Sequence, residues 1–251
     1  MTSFFTPTFL CLVLIGLAGC KKGDEKLLEN NPTAELKGCP IERIIYYRFP
    51  DTDTITFTYN SWDDPVSGTR SRVTTGAPNY EFRYDKKHRL TDFIGWYGGD
   101  GAEYWHKYFY DNAGSNANII ADSVYSFVSI QNGNIAQYYG AGLTVFAYDK
   151  KGRIIMDSTK WQGSSGVTVN HYSYNENGNL TGKQYDENLN PHRTNKIWMF
   201  LDRDYSVNNP FVADSYNLHR LPTKINLDGK PAFLVLSNNY LLNAQIIYGC
   251  K

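Results

Sequence analysis

Four stretches of this chain can be laid over one another. Segments 80–90, 108–115, 146–154 and 172–180 each carry an aromatic residue, one spacer, a Tyr and then Asp or Asn: Tyr84-Asp85, Tyr110-Asp111, Tyr148-Asp149 and Tyr174-Asn175. Three residues after the acid or amide stands Gly114, Gly152 or Gly178, and in the first copy His88. Phe57, Tyr59 and Asn60 make a weaker fifth copy without the Gly. The Tyr positions 59, 84, 110, 148 and 174 are 25, 26, 38 and 26 residues apart, the near-constant period of a repeated supersecondary unit.

The unit can be read physically. Side chains alternate along a strand, so aromatic-x-Tyr puts two rings on one face. Asp or Asn then starts a reversal, because its short side chain bonds to the backbone two residues on. Gly at the fourth place accepts a positive φ, and the apolar residue that follows begins the return strand. Each copy is thus an antiparallel hairpin. Asn132-Gly133 predicts another between 123–130 and 134–139, Asp228-Gly229 one between 223–227 and 232–236, and the Gly163–Gly166 run a further connection.

Helical spacing is found over 195–204, where Ile197, Trp198, Phe200 and Leu201 recur, and the stretch 205–221 reads as irregular. The expected fold is all-β: an antiparallel up-and-down meander of roughly a dozen strands, twisted and curled into a half-open barrel, with one short helix near 195–204. Arg70-Ser71-Arg72 and Thr54/Thr56/Thr58 place polar groups on both strand faces, against an integral membrane barrel.

The N-terminus reads as an address. Residues 9–17 (FLCLVLIGL) are too short to span a bilayer but fit a signal-peptide core. Leu17-Ala18-Gly19-Cys20 resembles a bacterial lipobox, which implies cleavage before Cys20 and acylation of its thiol, although 1–7 lack the usual basic residues. The expected division is a lipoprotein signal peptide at 1–19, an acylated, disordered tether at 20–38 and one β-meander domain at 39–251. Lys21 after the anchor resembles outer-membrane sorting signals; the sequence leaves periplasmic against surface exposure open. Of the remaining cysteines, Cys39 and Cys250 are expected to pair in an oxidising envelope, the alternative being two buried thiols.

The run Tyr148-Asp149-Lys150-Lys151-Gly152-Arg153-Ile154 resembles the YD repeat of Rhs-type and related wall-associated proteins. The arrangement over most of 39–251 is similar to uncharacterised bacterial envelope lipoproteins with a porin-like β fold. That resemblance implies a β shell and says little of activity; Rhs shells carry many more repeats, so no toxin-enclosing cocoon is implied.

Composition narrows the function. The 25 basic and 25 acidic residues balance, which argues against a strong electrostatic case for nucleic acid or acidic membrane lipid as a partner, since neither would find a net basic field. No nucleophile elbow, phosphate loop or metal-ligand spacing is present, so no catalytic residue, metal or cofactor is assigned. His88, His106, His171, His192 and His219 are scattered, and His106 alternates with Tyr104, Tyr108 and Tyr110 as a sheet-face residue. Acid pairs at Asp51/Asp53, Asp63/Asp64, Asp186/Glu187 and Asp202/Asp204 do not face each other by sequence. Trp62, Trp96, Trp105 and Trp161, in or beside loops and strand ends, form the candidate ligand surface. The leading expectation is a non-enzymatic, lipid-anchored envelope protein that binds a glycan, peptide or partner protein. The alternatives are an assembly lipoprotein with no small ligand and a hydrolase whose acids the fold brings together.

Overall fold

The computed structural model describes residues 28, 31–48, 51–112, 114–115, 117–226 and 243–250. Cys20 and the Asp228-Gly229 turn lie outside them. Eleven strands follow in chain order: β1 (Ile41–Arg48), β2 (Asp51–Tyr59), β3 (Pro65–Arg70), β4 (Asn79–Tyr84), β5 (Leu90–Gly98), β6 (Gly101–Tyr110), β7 (Ile119–Gln131), β8 (Asn134–Gln137), β9 (Gly140–Tyr148), β10 (Ile154–Trp161) and β11 (Thr168–His171). A 3-10 turn (Pro191–Thr194), helix α1 (Lys196–Asp202) and β12 (Ser215–Tyr216), β13 (Pro222–Asn226) and β14 (Asn243–Tyr248) complete the chain. All fourteen strands belong to one sheet, ordered β11-β10-β9-β7-β6-β5-β4-β3-β2-β1-β14-β13-β12, with β8 hairpinned onto β7. Every pairing is antiparallel and the sheet is not closed into a barrel, as the repeat predicts. The connection 172–214 does not add strands to this path; it returns over the concave face and lays α1 on it.

Five reversals share one geometry, started by Asn60, Asp85, Asp149, Asn175 and Asn217. In each, the backbone N–H of the fourth residue donates to the first carbonyl, and the first N–H donates to the carbonyl of the fifth. The first side-chain oxygen accepts from the fifth N–H at 3.0–3.1 Å. The fourth residue has positive φ whether or not it is glycine: Asp63 (61°), His88 (59°), Gly152 (78°), Gly178 (78°) and Arg220 (61°). The turn at Asn217 is a copy that the sequence reading passed over. The expected turn at Asp111 differs: the reversal is longer, closing from Asp111 N–H to Asn118 O at 3.1 Å. Gly114 is not in the left-handed region, and its N–H donates to Asn112 Oδ1 at 2.6 Å. The asparagine after the acid intercepts the amide, so Gly114 does not make the reversal.

The repeat tyrosines do more than pack. Each hydroxyl donates to the first carbonyl of the neighbouring strand: Tyr59 to Ile41, Tyr84 to Pro65, Tyr110 to Leu90 and Tyr148 to Ile119, all at 2.7 Å. Tyr174 reaches Ile154 at 3.5 Å, and Tyr248 reaches Pro222 at 2.9 Å. Arg89 and Arg153 each fork onto the Asp of their own turn and lie over the next copy's ring, Tyr110 at 4.4 Å and Tyr174 at 3.9 Å. These contacts lock successive hairpins together and explain why Phe would not serve. Tyr110→Phe is expected to cost about 1–2 kcal/mol, chiefly by orphaning the Leu90 carbonyl, and urea denaturation would measure it.

The core lies between the concave face and α1. Trp198 packs edge-on against Phe57 (5.2 Å) and Phe82 (5.7 Å), and Phe200 against Tyr108 (5.3 Å) and Phe146 (5.4 Å). Asn195 caps the helix by accepting from Ile197 N–H at 2.8 Å and fixes it to the sheet by donating to Asp63 O at 2.8 Å.

The five similar turns lie at one end of the sheet, here termed the repeat end; the β3–β4, β5–β6, β7–β9 and β10–β11 connections lie at the opposite end. The polar stretch 31–38, expected to be part of a disordered tether, crosses the repeat end in a defined path. Buried Arg193 donates to the carbonyls of Leu28 (3.0 Å), Asn31 (2.9 Å) and Pro32. Leu36 N–H donates back to Arg193 O at 2.7 Å, and Glu35 Oε1 accepts from Lys196 N–H at 2.8 Å. Burial pulls the Arg193 pKa down to about 10 despite the attraction of Glu35. Composition could not show this docking, because most of it runs through main-chain carbonyls and amides, which every sequence has. Cys39, just ahead of β1, is joined by a disulfide to Cys250, just after β14.

Candidate functional site

The charged groups inside the sheet are committed to one another. Arg70 was expected on a strand face with Ser71 and Arg72, but its side chain is buried against Asp53 at 2.9 Å. Tyr46 OH (2.8 Å) and Ser71 Oγ (2.9 Å) also donate to Asp53, and Arg70 donates to Tyr46, Tyr80 and the Pro78 carbonyl. Burial alone would raise the Asp53 pKa, but the hydrogen bonds from Tyr46, Ser71 and Arg70, with the charge of Arg70, hold it below the usual range. Elsewhere His106 Nδ1 meets Asp122 Oδ2 at 2.7 Å, Asp157 accepts from Asn170 (2.7 Å) and Tyr172 (2.6 Å), and Asp204 pairs with Lys183 at 3.1 Å.

The four acid pairs of the sequence are split by the fold. Asp51 meets exposed Arg72, whereas Asp53 is buried. Asp63 is an exposed turn residue, whereas Asp64 is buried. Asp186 accepts from Asn188 N–H at 2.7 Å, Asp202 meets His192, and Asp204 turns to Lys183. Among the described residues the metal-ligating atoms that cluster are those of Cys39, Cys250 and His219, and the two sulfurs are bonded to each other.

The four tryptophans do not converge on one concavity. Trp105 is fully buried on the outer face with Ile94, Ala102 and Val128. Its ring lies between Arg83 (4.7 Å) and Lys107 (4.9 Å), and Nε1 donates to Asp92 at 2.7 Å. Trp96 packs on the same cluster, as do Ile130 and Ile135 of the β7–β8 hairpin. Arg83 Nη1 donates to Gly133 O in that hairpin's turn at 2.9 Å and holds it over the cluster. Trp62 stays 56% exposed at the repeat end, with its ring 3.6 Å from that of His88. Trp161 stays 43% exposed at the opposite end, over Gly142, where an added Cβ would come within 3.0 Å of the indole.

Around Trp161 the structure gathers rings that the tryptophan-centred reading missed. Tyr125 and Tyr138 meet edge-on at 5.0 Å, and Phe127 and Tyr139 at 6.5 Å. Phe127 is 61% exposed and has φ of 50°, a conformation bulky residues rarely hold; Tyr139 is 89% exposed. The strained residue bends β7 so that Tyr139 N–H donates to Ser126 O at 3.0 Å. A shallow recess of about 560 Å³ runs between Ser123, Tyr125, Tyr138, Leu143, Lys160 and Trp161. It continues onto the outer face, where register places Phe109 opposite Ala121, Ala121 opposite Val145, Val145 opposite Ser158 and Ser158 opposite Val169. Phe109, Leu143, Val145 and Val169 are all exposed. The adjacent Tyr138-Tyr139 pair beside alternating Phe127 and Tyr125 was the available sequence signal.

Fold and site together define an open, single-sheet β half-barrel with a filled inner face and an exposed aromatic surface at one end. No known family model matches the chain, and no curated protein matches it. Among the described residues no helix is long and apolar enough to cross a membrane.

Proposed function

We propose that this chain is a lipid-anchored outer-membrane protein of the bacterial envelope, anchored through Cys20, that acts without catalysis by binding a partner protein. Kinship with YD-repeat envelope lipoproteins belongs to the same proposal and is supported by the Tyr-Asp turn geometry. One observation carries the binding role: rings and aliphatic side chains stay exposed at one end of the sheet and along its outer face, from Tyr138 through Leu143 to Val145 and Val169, while the buried acids are held in hydrogen-bonded pairs. Contiguous exposed apolar surface of this kind marks interaction sites. Its aliphatic extent favours a protein over a glycan, for which stacked rings beside polar groups would suffice.

A photo-cross-linkable phenylalanine analogue at Tyr139 in intact cells is expected to give one saturable protein adduct, and the same group at exposed Lys224 none. Truncating a ring of that surface, Tyr138→Ala, should weaken the captured complex by about 2 kcal/mol, roughly thirtyfold in affinity. Equal labelling at both positions, or saturable glycan binding by the purified protein in place of an adduct, would overturn the partner assignment. Cys20→Ser should release the protein from the membrane fraction; retention there would overturn the anchor.

A further inference from the structure

The end of the molecule that receives the N-terminal segment differs in chemistry from the rest of the surface. Leu28 and Pro32 line a recess at the repeat end with Lys151, Gly178 and Arg220, and Thr33 lines its neighbour with His88 and Gly152. The second and third residues of the five similar turns are Ser61-Trp62, Lys86-Lys87, Lys150-Lys151, Glu176-Asn177 and Leu218-His219. These tips carry four exposed lysines, the exposed indole of Trp62 and a Leu218 that is 84% exposed. The acids at this end are Glu176 at a tip, Asp63 directly behind Trp62, Asp85 and Asp149, each paired with the Arg of its own turn, and exposed Glu42, Asp111 and Glu187. A chain with no net charge thus presents at one end lysines interleaved with apolar side chains, the composition that suits a lipid headgroup layer.

We propose that the repeat end docks on the anionic lipid surface of the membrane, and that the aromatic surface around Trp161 faces away from it. This rests on the proposed acylation of Cys20. Tether length then decides the orientation. Cys20 and Leu28 are eight residues apart, a reach of at most about 29 Å. The sheet is about 33 Å long along ten-residue β6, at roughly 3.3 Å per residue. An inverted domain would hold Leu28 farther from the bilayer than the tether can reach, whereas the docked orientation leaves slack. The Arg193 clamp on the carbonyls of Leu28, Asn31 and Pro32 fixes where that tether departs.

The test uses the purified acylated protein in vesicles of phosphatidylcholine and phosphatidylglycerol that contain a nitroxide-headgroup lipid. Mass spectrometry first establishes the acyl group on Cys20. Tryptophan emission should be partly quenched; Trp62→Phe should remove most of that quenching and Trp161→Phe should leave it. Lys86→Glu with Lys87→Glu, Lys150→Glu and Lys151→Glu, all at exposed tips, should reduce quenching in these vesicles and not in phosphatidylcholine alone. If Cys20 is acylated and quenching disappears with Trp161→Phe, or is absent, the orientation is overturned and the anchor stands. If Cys20 is unmodified, anchor and orientation fall together. Quenching that the charge reversals leave intact would overturn the headgroup contact.

Discussion

Arg70→Met is expected to destabilise the protein by about 3–5 kcal/mol at neutral pH, the cost of leaving one charge of a buried pair uncompensated. Asp53 is 1% exposed, and Arg70 is the cation in contact with it. With the guanidinium gone, the carboxylate keeps Tyr46 and Ser71 as donors but loses its counter-charge. The pH dependence separates this account from a plain packing defect. In the intact protein Asp53 titrates below its unfolded value, so its contribution is present above the unfolded pKa, near 3.9, and is lost as pH falls through the folded pKa. In Arg70→Met the isolated carboxylate is better tolerated once protonated. The stability gap between the two proteins should therefore narrow with falling pH in urea titrations. Asp53→Leu combined with Arg70→Met should recover part of the loss, since apolar replacement of a whole buried pair is often near neutral; the Tyr46 hydroxyl, which loses both Asp53 and Arg70, keeps the recovery incomplete. A gap that is constant with pH would show that packing, not charge, is at stake.

The same pair shows where the sequence stops being readable. An Arg-Ser-Arg run looks solvated, and only the pairing of Ile55 with Arg70 across β2 and β3, which brings Asp53 within reach, makes Arg70 an interior residue. What could be read was local. An Asp or Asn with a Gly at the fourth place encodes a reversal within five residues, so the hairpins at Asp149 and Asn175 follow from sequence alone. Where Arg220 holds that fourth place with positive φ the signal vanished, although the turn is the same. Where Asn112 competes for the Gly114 amide the signal was present and the turn different. The tryptophans failed as a site for a non-local reason as well. Trp105 is hidden because a hairpin starting near residue 130 is held over its ring by Arg83, and period-two patterning cannot tell which part of a face will be covered.

The helix ties the two halves of the sheet together, and that role yields the other large effect. Helix α1 has seven residues, too few to be stable in isolation, so its formation depends on what it packs against. Trp198 serves β2 and β4 through Phe57 and Phe82, and Phe200 serves β6 and β9 through Tyr108 and Phe146. Trp198→Ala should therefore cost about 3–5 kcal/mol from lost burial and the cavity left behind. It should also loosen the sheet unevenly. Hydrogen exchange is expected to accelerate first in β2, β4 and the 195–204 stretch, while amides of β10 and β11, farther from the indole, keep their protection relative to global unfolding. Phe109→Ala, which removes a ring of similar size from the exposed outer face, should cost less than about 1 kcal/mol and serves as the control. Equal losses from the two substitutions, or uniform acceleration across all strands, would mean that the curled sheet holds its shape without the helix and that the concave face is not the core.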